Sequence, residues 1–466
     1  MRHNKTRREF LENVALAAGS AALYRSGWAE APGASAPLPG PKFYWGIGIE
    51  NCWMAQTDPV RDGNRRLLDV FLQMQHYEKW KQDLDLLPAT GVNCIRYSVP
   101  WYKAEPKPGV YDWSWIDKSV EYLVDKLKII PIMDLIHYGT PTWMPDGIVD
   151  ERFPEAIGKY AGAMAAHFKG LVNHYSPQNE PQLSCLFCGL TGRWPPYQKS
   201  VEGWVKVGVA CAKGMVLEMK AIRAVLPDAV IVSVDPWMNG VVDQYLEIPK
   251  DDPRWPEVSP AADCYPASLA YGKVTAGHPF AGFLEKKGAK AGDIAWFEQH
   301  ATRPDILGYN FYPDWAYGWG ESPAQRKNDY TKGGTVPLQK GAAEAAGYLT
   351  PGLIRAQRYF DLPVYLTETS AGQRDEARVA YIQALGDWVV SLHRQGIPLR
   401  GVNWWPLFDT IQWTYREVVT LPLRDFIFEG GWNNGLYRID ARPDGDLKRM
   451  ATPAIKAFHN MVASHR

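Results

Sequence analysis

Eight short apolar runs, separated by longer amphipathic or loop-like stretches, constrain the fold of this chain more than any other feature. They lie at residues 43–49, 92–99, 129–136, 170–175, 230–234, 306–311, 364–367 and 401–407, and each is the length of a strand. Stretches between them have helical periodicity: 77–87 with Trp80, Leu84 and Leu87, a face of Val120, Leu123 and Leu127, then 156–168, 203–225 and 378–395. Such alternation predicts parallel strands joined by crossover helices, and eight repeats predict an α/β chain folded as a (β/α)8 TIM barrel. A chain of 466 residues suits one such barrel, a single domain over 43–466 with long loops at its C-terminal face. Residues 251–297 are Pro-rich and weakly periodic and read as an insertion or long loop, and 313–347 read as a second.

The N-terminus has a different pattern. Thr6-Arg7-Arg8-Glu9-Phe10-Leu11 is a twin-arginine sequence, Val14 to Leu23 is a modest apolar stretch, and Ala29-Glu30-Ala31 is a small-x-small cleavage site. Residues 1–31 are therefore expected to be a twin-arginine signal peptide and 32–42 a Pro/Gly/Ala linker. The expected location is the periplasm or the cell exterior, with no stable membrane anchor. Formal net charge is zero with the signs interspersed, so no nucleic-acid partner is expected. Six cysteines in so long a chain exclude a disulfide scaffold, and Cys185-Leu186-Phe187-Cys188 reads as buried thiols or one local disulfide. Twenty Trp and 24 Tyr, many beside Gly, Pro and Asn, suit flat, partly apolar ligands such as sugar rings.

The chemistry lies at strand ends. Glu180 follows the fourth run in Ser176-Pro177-Gln178-Asn179-Glu180-Pro181, and Glu368 ends the seventh. Strands four and seven face each other across a barrel, so both carboxylates can enter one mouth. Glycoside hydrolysis uses such a pair, one carboxyl as proton donor and one acting on the other side of the anomeric carbon. Arg96 lies inside the second run and needs a buried anion, for which Glu368 is the choice. Tyr312 ends the sixth run and is placed to donate to the same carboxylate. Asn179 is placed for a sugar hydroxyl, and Trp405 for an aromatic floor under the ring.

Seven stretches in order then resemble one family. They are Phe43-Tyr44-Trp45-Gly46, Ile95 to Trp101, Ile136-His137-Tyr138 with Pro141-Thr142-Trp143, Gln178-Asn179-Glu180-Pro181, Leu307 to Tyr312, Tyr365-Leu366-Thr367-Glu368-Thr369, and Trp405-Pro406-Leu407-Phe408-Asp409 through Trp413. The chain resembles glycoside hydrolase clan A, and most closely family 1, the β-glucosidase family. The resemblance implies a retaining β-glycosidase with Glu180 as acid/base and Glu368 as nucleophile. It also implies Arg96, His137, Tyr138, Asn179, Tyr312, Trp405, Gln412 and Trp413 as substrate-binding residues, a carbohydrate substrate, and no cofactor or metal.

The departures fall in the glycone subsite. The family's Gln after the first strand has no match in Glu50-Asn51-Cys52-Trp53-Met54, its Trp after the His is Tyr138, its sugar-clamping Glu is Gln412, and the Asn after its nucleophile is Thr369. The expectation is a β-glucosidase-like enzyme with an altered glycone subsite. A sugar-binding protein without catalysis and a transglycosylase are the alternatives. The sequence carries no signature of an oligomeric state.

Overall fold

The computed structural model describes residues 40–50, 53–55, 67–237, 240, 242–312, 342–371, 375–410, 434–442 and 445–465. The expected signal peptide and residues 32–39 of the linker lie outside these residues, as do Gln412 and Trp413.

The barrel strands in chain order are Tyr44–Ile49, Cys94–Ser98, Ile130–Ile136, His174–Gln178, a fifth in two pieces (Val230–Ile231 and Asp235–Pro236), Leu307–Asn310, Val364–Thr369 and Leu399–Trp404. Every pairing between them is parallel. One piece of the fifth strand pairs with the fourth and the other with the sixth, so the sheet closes on itself through that strand. Bridges Asn179↔Val234 and Val232↔Ile306 stitch the seam. The eight expected strands are thus the eight observed, and they form a TIM barrel.

Alternating residues of a strand share a face, and along the inward face the residue type changes with height. At the N-terminal end, Tyr44, Cys94, Ile132, Val230, Val232, Ile306 and Tyr365 form one closed apolar plug. Two residues further along the same strands, Cys94 gives way to Arg96 and Ile132 to Asp134, and the first strand runs through Gly46 and Gly48 to Glu50. Polar chemistry is therefore confined to the C-terminal mouth, over a packed floor.

Several expectations need correction. The fourth strand does not stop at Tyr175: it continues through Ser176-Pro177-Gln178. Pro177 cannot donate to a ladder, yet the pairing to the third strand runs on to Ile136↔Gln178. Residues 251–297 are not a loop. They form helices Trp255–Asp263, Tyr265–Ala270, Pro279–Lys286 and Asp293–His300. Three of the prolines that suggested a loop, Pro256, Pro266 and Pro279, sit in the first turn of these helices, where the missing N–H has no intrahelical partner to lose, and Pro260 lies inside Trp255–Asp263. Helix Ala342–Phe360 likewise occupies the end of the second expected loop; residues 313–341 lie outside the described set. After the eighth strand come a hairpin, Tyr437–Ala441 with Leu447–Ala451, and a last helix, Pro453–Ser464, capped by Thr452. Cys94, Cys185, Cys188, Cys211 and Cys264 are buried free thiols, in agreement with the first of the two readings. No helix among the described residues is long and apolar enough to cross a membrane.

Candidate active site

Glu180 leaves the fourth strand in the left-handed region, at φ 43° and ψ 57°. That conformation is strained for a side chain with a Cβ, and such strain gathers at functional sites. Two features hold it: its N–H donates to Val234 O at 2.9 Å, and its carbonyl accepts from Leu183 and Ser184 at 2.8 and 3.1 Å. The turn starts the short helix Pro181–Ser184 and points the Glu180 side chain into the mouth, where it is buried. Glu368 enters from the seventh strand. A register shift between Leu366 and Glu368 sets it opposite Asn310 of the sixth strand.

Both carboxyls meet through shared neighbours. Asn310 Nδ2 donates to Glu180 Oε1 at 2.9 Å, and Asn310 Oδ1 accepts from Thr367 Oγ1, one residue before Glu368, at 2.7 Å. Tyr312 donates to Glu368 Oε2 at 2.6 Å, and Arg96 Nη1 donates to Glu368 Oε1. Tyr138 donates to Glu180 Oε2. Trp405 packs edge-on against Tyr312 with ring centroids 6.0 Å apart.

Arg96 is the hub. Its guanidinium is buried and faces Glu368, Asp134 Oδ2 at 3.3 Å and Glu50 Oε1 at 3.4 Å. One closed circuit of hydrogen bonds starts and ends on it. Arg96 Nη2 donates to Asn179 Oδ1, Asn179 Nδ2 meets His137 Nε2 at 3.3 Å, His137 Nδ1 meets Asp134 Oδ2 at 2.8 Å, and Asp134 faces Arg96. With its proton on Nδ1 and Nε2 free to accept, the imidazole serves both the Asp134 and the Asn179 links. The circuit fixes the Asn179 amide and leaves its second N–H for a ligand.

The electrostatics separate the carboxyls. Burial pushes the Glu180 carboxyl up to about 8, and the Glu368 charge pushes the same way. Burial alone would raise Asp134 too, but Arg96, His137 and Ser98 together hold it below the usual carboxylate range. Burial drives Glu50 well above that range in spite of Arg96. Its carboxyl lies back over its own strand: a Cβ on Gly48 would sit 2.4 and 2.5 Å from its two oxygens. Only Gly at 48 leaves that space. Arg96 is thus held between Glu368 and Asp134, and Glu180 and Glu50 form a second tier whose carboxyls burial pushes up.

The structure therefore brings together Arg96, His137, Tyr138, Asn179, Glu180, Tyr312, Glu368 and Trp405. Tyr138 differs from expectation, since its hydroxyl is directed at Glu180 itself. Glu50, Asp134 and Asn310 were missed. Asp134 had a signal, a lone carboxylate inside the apolar run 129–136, and so had Glu50 at the end of the first strand. Asn310 gave none beyond its place in Leu307 to Tyr312.

A family model described as Glycosyl hydrolase family 1 matches residues 56–239. The chain is 24% identical over 453 residues to "Beta-glucosidase 1B" of Phanerodontia chrysosporium, covering 83% of this chain and 82% of that one. It is 22% identical over 410 residues to "1,4-beta-D-glucan glucohydrolase" of Thermotoga neapolitana, covering 80% and 93%. Among solved structures, the β-glucosidase from Thermotoga maritima in complex with deoxynojirimycin superposes with a TM-score of 0.67 at 16% identity, over 91% of this chain and 98% of that one, a likeness of fold.

Proposed function

We propose that the chain is a glycoside hydrolase of clan A, most similar to family 1, in which Glu180 and Glu368 cleave a β-glycosidic bond by double displacement. In the first step the Glu368 carboxylate attacks the anomeric carbon while Glu180 gives its proton to the departing glycosidic oxygen. The C–O bond to the aglycone breaks, the alcohol leaves, and a glycosyl ester remains on Glu368. In the second step Glu180, now a carboxylate, takes a proton from water as that water attacks the same carbon. The ester bond breaks and both glutamates return to their starting states. Retention requires the two carboxyls to stand about 5–5.5 Å apart.

The observation that carries this reading is the opposite treatment of the two glutamates. Glu368 receives Arg96 and Tyr312. Glu180 is buried, has no cation in direct contact among the described residues, and its carboxyl is pushed up to about 8 by burial first and by Glu368 second. Esterification removes the Glu368 charge, so the Glu180 pKa falls between the two steps, as an acid that must become a base requires.

A pH dependence follows. Glu180 must be protonated for the first step, so kcat/KM should hold through neutral pH and fall above about 8, as the proton is lost. With a 2,4-dinitrophenyl β-glycoside, which needs little protonation on leaving, the Glu180→Gln variant should keep measurable turnover and lose that alkaline limb. A limb of unchanged position in Glu180→Gln would mean that another group carries the proton. The names of the relatives make glucose the first choice of glycone. A panel of aryl β-glucosides, galactosides, fucosides and xylosides tests that choice.

A further inference from the structure

The hydrogen bonds around Glu180 say which of its oxygens carries the proton. Asn310 Oδ1 is taken by the Thr367 hydroxyl, so its amide nitrogen faces Glu180 Oε1, at 2.9 Å. An amide nitrogen only donates, so Oε1 must accept, whether Glu180 is charged or neutral. The carbonyl oxygen of a carboxylic acid is its better acceptor, and among the described contacts only Oε2 faces a bonded partner that can accept, so the geometry favours the proton of neutral Glu180 on Oε2. The partner of Oε2 is the Tyr138 hydroxyl, and a hydroxyl both donates and accepts. It accepts from the acid form of Glu180 and, by rotating its own O–H, donates to the carboxylate form.

Tyr138 is built into this place. It takes φ 63° as the chain turns out of the third strand, and Gly139 follows at φ 71°. Its ring is buried, edge-on to His137 at 5.2 Å and to Trp194 at 4.8 Å, and Trp194 in turn meets Phe187 at 4.8 Å. In the family motif this position is Trp, whose N–H can donate but not accept. The exchange to Tyr replaces a one-way donor with a group that suits both protonation states.

We propose that Tyr138 is a positioning residue for Glu180, holding the acid's proton on Oε2 in the resting enzyme and donating to the same oxygen after the proton has gone to the leaving group. This rests on the reading of Glu180 as acid/base. The charged and titratable groups facing Glu180 are Glu368 and Tyr312 from the strands opposite, Arg96 from the second strand, Asp235 from the fifth, and Tyr138 itself. Only Tyr138 and Asn310 bond its carboxyl directly among the described contacts, and of the two only Tyr138 can change the direction of its bond.

The test compares wild type with Tyr138→Phe on phenyl and 2,4-dinitrophenyl β-glycosides of the best glycone in the panel. The lost bond favoured the carboxylate, so the alkaline limb of kcat/KM should move up by about one pH unit in Tyr138→Phe. At pH 6 the phenyl glycoside, which needs the acid, should slow by about tenfold, and the dinitrophenyl glycoside by less than about twofold. Equal losses on both substrates with an unmoved limb would overturn the proposal, as would no loss on either. If Tyr138→Phe does not fold, 3-fluorotyrosine inserted at 138 preserves the shape and makes a stronger donor; the limb should then move down, and an unmoved limb overturns the proposal. A Glu180→Ala control separates the two failures. If azide does not accelerate it and yields no β-glycosyl azide, the acid/base reading itself has failed. If azide does both and the Tyr138 limb is unmoved, only the role of Tyr138 has failed.

Discussion

Glu368→Gln should lower kcat on an aryl β-glycoside by on the order of 10^5-fold, with little change in the fold. The amide keeps the size of the side chain and its place beside Arg96 and Tyr312, but it has no charge with which to attack carbon. Leaving-group ability should not rescue it, because even a dinitrophenyl glycoside needs the nucleophile. In this it differs from Glu180→Gln, whose loss should be about 10²–10⁴-fold on poor leaving groups and much less on good ones. Truncation to Glu368→Gly opens space under the anomeric carbon. Azide should enter there and restore turnover with one displacement instead of two, giving the α-glycosyl azide. The stereochemistry of the two azide products, α from Glu368→Gly and β from Glu180→Ala, separates the two roles by nuclear magnetic resonance of the product alone.

Arg96→Met should have the second largest effect, on stability and activity together. Arg96 is the only Arg or Lys in direct contact with Glu368, Asp134 and Glu50 among the described ion pairs, and all four side chains are buried. Without it, at least two carboxylates are left in a low dielectric with no counter-charge, at a cost of about 3–5 kcal/mol. The pH dependence gives the sign. Arg96 helps to hold Asp134 below the usual carboxylate range. A depressed carboxyl contributes stability above its unfolded pKa and loses it as pH falls through its folded pKa. The gap between wild type and Arg96→Met in urea unfolding should thus be full at pH 7 and close at acid pH. A gap as large at pH 3 as at pH 7 would mean that packing, rather than charge, makes Arg96 important. Arg96→Lys would retain the charge but not the planar fork that reaches Glu368 and Asn179 at once.

Much of this was legible in the sequence because the barrel repeats one physical pattern. Short β runs alternating with amphipathic helices give eight strands, and the C-terminal end of each is where a polar residue can face a shared mouth. Glu180, Glu368 and Arg96 could be read because each is a charge at a position where burial demands a partner. Tyr312 could be read because it ends the strand beside Glu368. Where local chemistry has two meanings the reading failed. Three prolines in residues 251–297 start helices and Pro260 lies inside one, and Pro177 lies within a strand rather than after one. Glu50 escaped for a different reason: its position depends on a side chain folding back over Gly48, a relation of three dimensions. Tyr138 was read as a substrate-binding residue, but its hydroxyl direction, toward Glu180, follows from a left-handed turn that one-dimensional pattern does not display.

The most direct measurement is to trap the intermediate. A 2,4-dinitrophenyl 2-deoxy-2-fluoro-β-glycoside of the preferred sugar should inactivate the wild-type enzyme with time, release one dinitrophenolate per active site, and add the mass of one fluoroglycosyl group. Digestion and fragment mass spectrometry should place that group on Glu368, within Val364–Thr369, and Glu180→Gln should label at the same residue. A label on any other residue, or steady turnover of natural substrate with no covalent adduct ever formed, would contradict a double displacement through Glu368.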